Sequence, residues 1–194
     1  MKFRVLAASM LVLACFAVPM VSHAATASQS IGVGAGVVVP TGDAADAVGM
    51  GFYGGGTYTY KFNAQFGVGG DVAYNTFGKK NDVDLKFHML QYGVHGKYYF
   101  PMKDAKMAPY LKVGVGMYSI SETLPGVDIG GGVIIGGGTY SASKTGFAAG
   151  VGTTFAMGPK ASFGIEAMYH MIQTEGSSTS MFTAGATYNF MLGK

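Results

Sequence analysis

The 194-residue chain is 49% hydrophobic and only 12% charged, with 13 basic and 10 acidic side chains for a formal charge of +3. A soluble domain usually carries about twice that charge, and the scattered lysines form no basic patch, which argues against a nucleic-acid partner. The length suits one domain, and beyond the N-terminus no apolar run reaches the length of a membrane helix, which excludes helical spans there.

The chain begins MKFRVLAASMLVLACFAVPMVSHAA. Lys2 and Arg4 precede an apolar run from Val5 to Val18, Pro19 breaks it, and Ser22 and Ala24 supply the small residues of a cleavage site. This is the pattern of a secretory signal peptide over residues 1–24, leaving 25–194 as one domain. Cys15, the single cysteine, lies inside the leader, so the exported chain has no disulfide. Val12-Leu13-Ala14 before it matches a lipoprotein signal poorly. Loss of Lys2 and Arg4 leaves 11 basic residues against 10 acidic, a formal charge of +1.

From about residue 30 the apolar positions recur every second residue, the period of a strand. Ile31, Val33, Ala35, Val37 and Val39 alternate with Gly32, Gly34 and Gly36 in a first strand that ends at Pro40-Thr41-Gly42. After a loop over 43–50, Phe52 to Phe62 and Phe66 to Tyr74 alternate as two arms of a hairpin turning at Asn63-Ala64-Gln65. Each arm is about eleven residues long, roughly twice a usual strand and the length of a tilted bilayer span.

Residues 78–84 read as a charged loop. A fourth strand follows over 87–100, with Leu90, Tyr92, Val94, Tyr98 and Phe100 opposing Gln91, Gly93, His95 and Lys97. Beyond a turn at 101–108, a fifth strand sets Leu111, Val113, Val115 and Met117 against Tyr110, Lys112, Gly114, Gly116 and Tyr118.

Residues 121–144 read as a long loop whose glycine triplets let Val127 to Ile129 and Val133 to Ile135 form a protruding hairpin. A sixth strand turns Phe147, Ala149, Val151 and Phe155 outward, and a seventh opposes Phe163, Ile165, Ala167, Tyr169 and Met171 to Gly164, Glu166, Met168 and His170. The turn between them is 157–160. After a polar loop at 175–180, an eighth strand over 181–190 turns Phe182, Ala184, Ala186, Tyr188 and Phe190 outward.

The fold class is therefore all-β: an eight-stranded antiparallel up-and-down transmembrane β-barrel over roughly 30–190, preceded by a cleaved signal peptide. Short and long connections alternate along the chain, and aromatic residues gather near both strand ends, as in the interfacial girdles of outer-membrane barrels.

The hairpin GGGTYTYKFNAQFGVGGDVAY and the closing FTAGATYNF resemble the eight-stranded outer-membrane β-barrel family of the OmpA transmembrane domain and OmpX. The resemblance implies residence in the cell outer membrane, with lipopolysaccharide-bearing lipid, the barrel-assembly machinery and periplasmic chaperones as partners. It also implies that Tyr188 and Phe190 carry the C-terminal assembly signal. The family usually ends on the aromatic residue, whereas here Met191 to Lys194 follow Phe190.

Alternation sends Lys61, Asp71, His95, Lys97, Lys112 and Glu166 to the lumen side, where eight strands leave room only for side chains. The expectation is an internal charge network, with Tyr53 and Tyr110 adding bulk, that plugs the barrel. The expected function is envelope structure or surface interaction, the latter through a partner at the 121–144 loop. The alternative is a narrow porin or hydrophobic-solute channel.

A lipid-modifying or proteolytic barrel would need a histidine beside a serine or carboxylate near the outer rim. His88 and His170 lie at that height, near Asp82, Asp84 and Glu175, but without close spacing, so no enzyme is expected. No catalytic, cofactor or metal site is read from the chain. Its glycines lie at strand spacing or in a loop, with no phosphate-loop lysine after them.

Overall fold

The structure is a computed structural model and describes residues 27–78, 86–103, 106–124, 127–128, 134–135, 138–174 and 177–192. In chain order the elements are β1 (Ser28–Thr41), α1 (Asp43–Ala47), β2 (Gly49–Lys61), β3 (Phe66–Gly78), β4 (Lys86–Tyr99) and β5 (Met107–Leu124). Two-residue strands β6 (Val127–Asp128) and β7 (Ile134–Ile135) come next, then β8 (Gly138–Ala156), β9 (Ala161–Thr174) and β10 (Ser177–Leu192).

Eight strands close in the order β1-β10-β9-β8-β5-β4-β3-β2, and every neighbouring pair is antiparallel. The seam between first and last strands is continuous, from Gln29 opposite Leu192 to Thr41 opposite Ser180. Closure leaves no free edge, which a wall of such alternating strands requires.

One face of each barrel strand is apolar and turned outward. Val33, Phe52, Val94, Val113 and Val151 are all more than half exposed. Aromatic rings mark both ends of this wall. Phe62, Phe66, Tyr98 and Phe100 make a run of ring contacts at the short-turn end, with centroids 6.2, 5.1 and 5.2 Å apart in succession. Near the long-loop end Tyr169 meets Phe182 at 4.8 Å and Tyr74 stacks on His88 at 5.7 Å. The tight turn between β2 and β3 is held by Asn63, whose Oδ1 accepts from the backbone N–H groups of Gln65 and Phe66 at 2.9 and 2.7 Å.

Several expected loops are shorter than the sequence reading. Residues 121–124 and 138–144 are paired strand, with Ser121 opposite Ser141 and Leu124 opposite Gly138, so both ends of the expected 121–144 loop are a hairpin extension of β5 and β8. Backbone hydrogen bonding continues there without an apolar stripe, because pairing needs no lipid-facing side chains. Val127 pairs with Ile135 and Asp128 with Ile134, two pairs of the expected hairpin, while residues 129 and 133 lie outside the described residues. The expected 175–180 loop contracts likewise, since β10 already starts at Ser177.

The expected loop over 43–50 contains α1, closed by Val48 N–H donating to the Ala44 carbonyl at 3.0 Å, and β2 begins at Gly49. At the other end of the chain the last strand runs past Phe190 to Leu192. The leader, with Cys15, and the charged residues 79–85 lie outside the described residues.

Candidate functional site

The inward faces meet in a lumen with two chemically different halves. At the long-loop end Val38, Met89, Tyr118, Ile172 and Met181 form a buried cluster, with Phe77 and Ile120 packed against it. Toward the short-turn end the lining is charged.

Lys112, on β5, is the centre of the charged half. Its Nζ donates to Asp71 Oδ1 at 3.2 Å and to Glu166 Oε1 at 3.0 Å, joining β3 to β9 across the lumen. The two remaining carboxylate oxygens also have partners. His95 Nδ1 lies 2.7 Å from Asp71 Oδ2, and the Tyr110 hydroxyl donates to Glu166 Oε2 at 2.8 Å. On its other side, His95 Nε2 lies 3.4 Å from the Thr59 hydroxyl. One hydrogen-bonded chain thus runs Thr59, His95, Asp71, Lys112, Glu166, Tyr110, drawing on β2, β4, β3, β5 and β9.

Glycine opposite a bulky residue makes this layer possible. Gly152 and Gly185 flank Glu166 on β8 and β10. A Cβ on Gly152 would collide with the Tyr110 ring, and one on Gly185 with the Tyr53 hydroxyl. The small residues that look like strand weaknesses in the sequence are the recesses into which the lumen tyrosines fit.

All six charged residues singled out in the sequence face the lumen, but they do not form one network. Lys61 and Lys97 make no ion pair among the described residues. Lys61 Nζ sits 3.7 Å from the Tyr99 ring centroid, and Lys97 Nζ sits 4.9 Å from that of Tyr110. Sequence reasoning missed Tyr99, although it shares the inward parity of Lys97 two positions earlier. It also missed a second polar link above the charged layer. There the Tyr118 hydroxyl lies 3.0 Å from His170 Nδ1, and His170 Nε2 lies 3.0 Å from Thr183 Oγ1.

The two rim histidines therefore point apart. His170 is buried inside and held by Tyr118 and Thr183, whereas His88 stacks on Tyr74 outside. They cannot converge on one bond. Asp82, Asp84 and Glu175 lie outside the described residues. Among the described residues no group of three His, Cys, Asp or Glu side chains is placed to hold a metal.

A cavity of about 90 Å³ remains inside the barrel, lined by Asp71, His95, Lys97, Tyr110, Lys112 and Glu166 among others. A cavity needs only about 10–15 Å³ of such space to hold one water, so the lumen is not completely filled by side chains.

The family model described as the outer membrane protein beta-barrel domain matches residues 8–190. Among solved structures, Neisserial surface protein A (NspA) is 16% identical with a TM-score of 0.64, over 84% of this chain and 97% of that one. The outer membrane protein OprG from Pseudomonas aeruginosa is 14% identical with a TM-score of 0.53, over 86% and 98%. At these identities the likeness is one of fold. Among curated proteins none matches the chain.

Proposed function

We propose that this chain, which belongs to the outer membrane protein beta-barrel domain family, is a closed barrel serving envelope structure or surface interaction. It resides in the outer membrane, as its family and the neighbouring barrels do. The apolar wall lies in the hydrocarbon layer, the aromatic ends lie at the two interfaces, and residues 1–24 direct export before removal.

The observation that carries the closed reading is the matched layer at Lys112. Each oxygen of Asp71 and Glu166 already has a donor. A permeating ion would have to separate the part-buried pairs around the buried Lys112, and breaking a buried pair costs several kcal/mol. The test is planar-bilayer recording of the purified outer-membrane form, with heat-modifiable gel mobility showing that the barrel has folded. A folded and silent barrel is expected. Discrete conductance steps would favour the second reading, a narrow porin, for which the 90 Å³ cavity is the supporting observation.

No catalytic role is proposed, because His88 and His170 face opposite sides of the wall. The partners are lipopolysaccharide-bearing lipid outside the wall, with periplasmic chaperones and the barrel-assembly machinery during biogenesis. Tyr188 and Phe190, in edge contact at 4.8 Å on the last strand, are the assembly signal. Extension of β5 and β8 beyond the barrel supplies the element offered to a surface partner.

A further inference from the structure

Lys97 is the buried cation for which the matched layer leaves no partner. Strand register sets Lys61 opposite Gly67, Gly67 opposite Lys97 and Lys97 opposite Lys112. Three lysines therefore stand in one cross-strand row on the lumen wall, on β2, β4 and β5. Like charges directly opposite on adjacent strands repel each other, so this row needs negative charge in front of it.

The carboxylates of the lumen do not supply enough. Asp71 and Glu166 are both engaged by Lys112, and their remaining oxygens are taken by His95 and Tyr110. With His95 neutral, the three lysines and two carboxylates leave one positive charge in excess. Lys97 is only 8% exposed and lines the cavity, yet among the described residues its ammonium makes no hydrogen bond or ion pair and faces the Tyr110 ring at 4.9 Å. A ring face attracts a cation but accepts no full set of N–H bonds.

We propose that the short-turn half of the lumen binds a small inorganic anion of halide type, held by Lys97, with Lys61 in the same cross-strand row adding to its attraction. A halide takes about the volume of one water, and the cavity of about 90 Å³ that Lys97 lines accepts one with part of its hydration. The site exists whether or not the lumen conducts, so it stands apart from the closed reading.

Bromide is the probe. Crystals of the purified outer-membrane form soaked in sodium bromide should show an anomalous peak in contact with Lys97 Nζ. Thermal unfolding at fixed ionic strength should then have a higher midpoint in bromide than in gluconate, with the difference lost in Lys97→Met and reduced in Lys61→Gln. Should Lys97→Met fail to fold, the wild-type peak and midpoint difference decide the matter. Absence of a peak at Lys97, or equal wild-type midpoints in the two salts, overturns the proposal. A peak that leaves the midpoint unmoved would mark an adventitious ion only and overturn it equally.

Discussion

The two halves of the lumen are enclosed by the same strands but are filled by opposite means. Val38, Met89, Ile172 and Met181 fill the long-loop half by shape, each contact being weak and replaceable. Lys112, Asp71, Glu166, His95 and Tyr110 fill the other half by matching donors to acceptors, so that each group depends on a particular neighbour. The difference implies different modes of failure. An apolar filling degrades in proportion to the volume removed. A charged filling fails abruptly when one member goes, because the partner's charge stays behind in a poor solvent.

Lys112→Met is the largest expected break in that comparison. It strands Asp71 and Glu166 together, and the expected loss is about 3–5 kcal/mol, read as a fall in the urea midpoint of the barrel in lipid vesicles. Adding Asp71→Asn and Glu166→Gln removes the stranded charges while leaving amide oxygens for His95 and Tyr110. The triple variant should recover most of the loss. If the single and triple variants unfold alike, the charged half is held by packing and the contrast between the halves disappears.

Ile172→Ala makes the corresponding change in the apolar half. Ile172 is 1% exposed within its cluster, and truncation there should cost about 3 kcal/mol by the same urea measurement, with no neighbouring substitution able to rescue it by neutralisation. Gly152→Val probes the recess between the strands. Overpacking against Tyr110 should cost about 2 kcal/mol, whereas Gly96→Val, on the outer face with nothing within 4 Å of an added Cβ, should leave the urea midpoint unmoved. A loss at both glycines would mean that strand propensity, and not the lumen recess, sets the effect.

Much of this architecture was legible from period alone. Alternation of Gly67, Gly69 and Asp71 with Phe66, Val68, Gly70 and Val72 assigns every side chain to a face, and bilayer and lumen differ enough in polarity to fix the register. Partner choice is another matter. Lys61, Lys97 and Lys112 look equivalent in the sequence, each on an inward parity near a short turn. Only the register of four strands shows that Lys112 reaches both carboxylates while Lys97 reaches neither. Strand ends were also poorly legible. The pairs from Ser119 opposite Ser143 to Leu124 opposite Gly138 continue the ladder through residues with little apolar periodicity. There the backbone alone carries the pairing, so no stripe announces it.

Tyr118 stands between the two halves and gives the finest test of where one ends. Its ring belongs to the apolar cluster, 1% exposed, while its hydroxyl reaches His170, which in turn reaches Thr183. Tyr118→Phe keeps the ring and removes only the polar link. If the boundary is as sharp as the packing indicates, the urea midpoint should fall by an amount equivalent to about 1 kcal/mol, the usual worth of one buried hydrogen bond. His170 retains Thr183, so no charge is stranded and the steep penalty expected at Lys112 should not recur. A loss as large as that of Lys112→Met would place Tyr118 and His170 inside the charged half, and would move the boundary between the two fillings one layer toward the long loops.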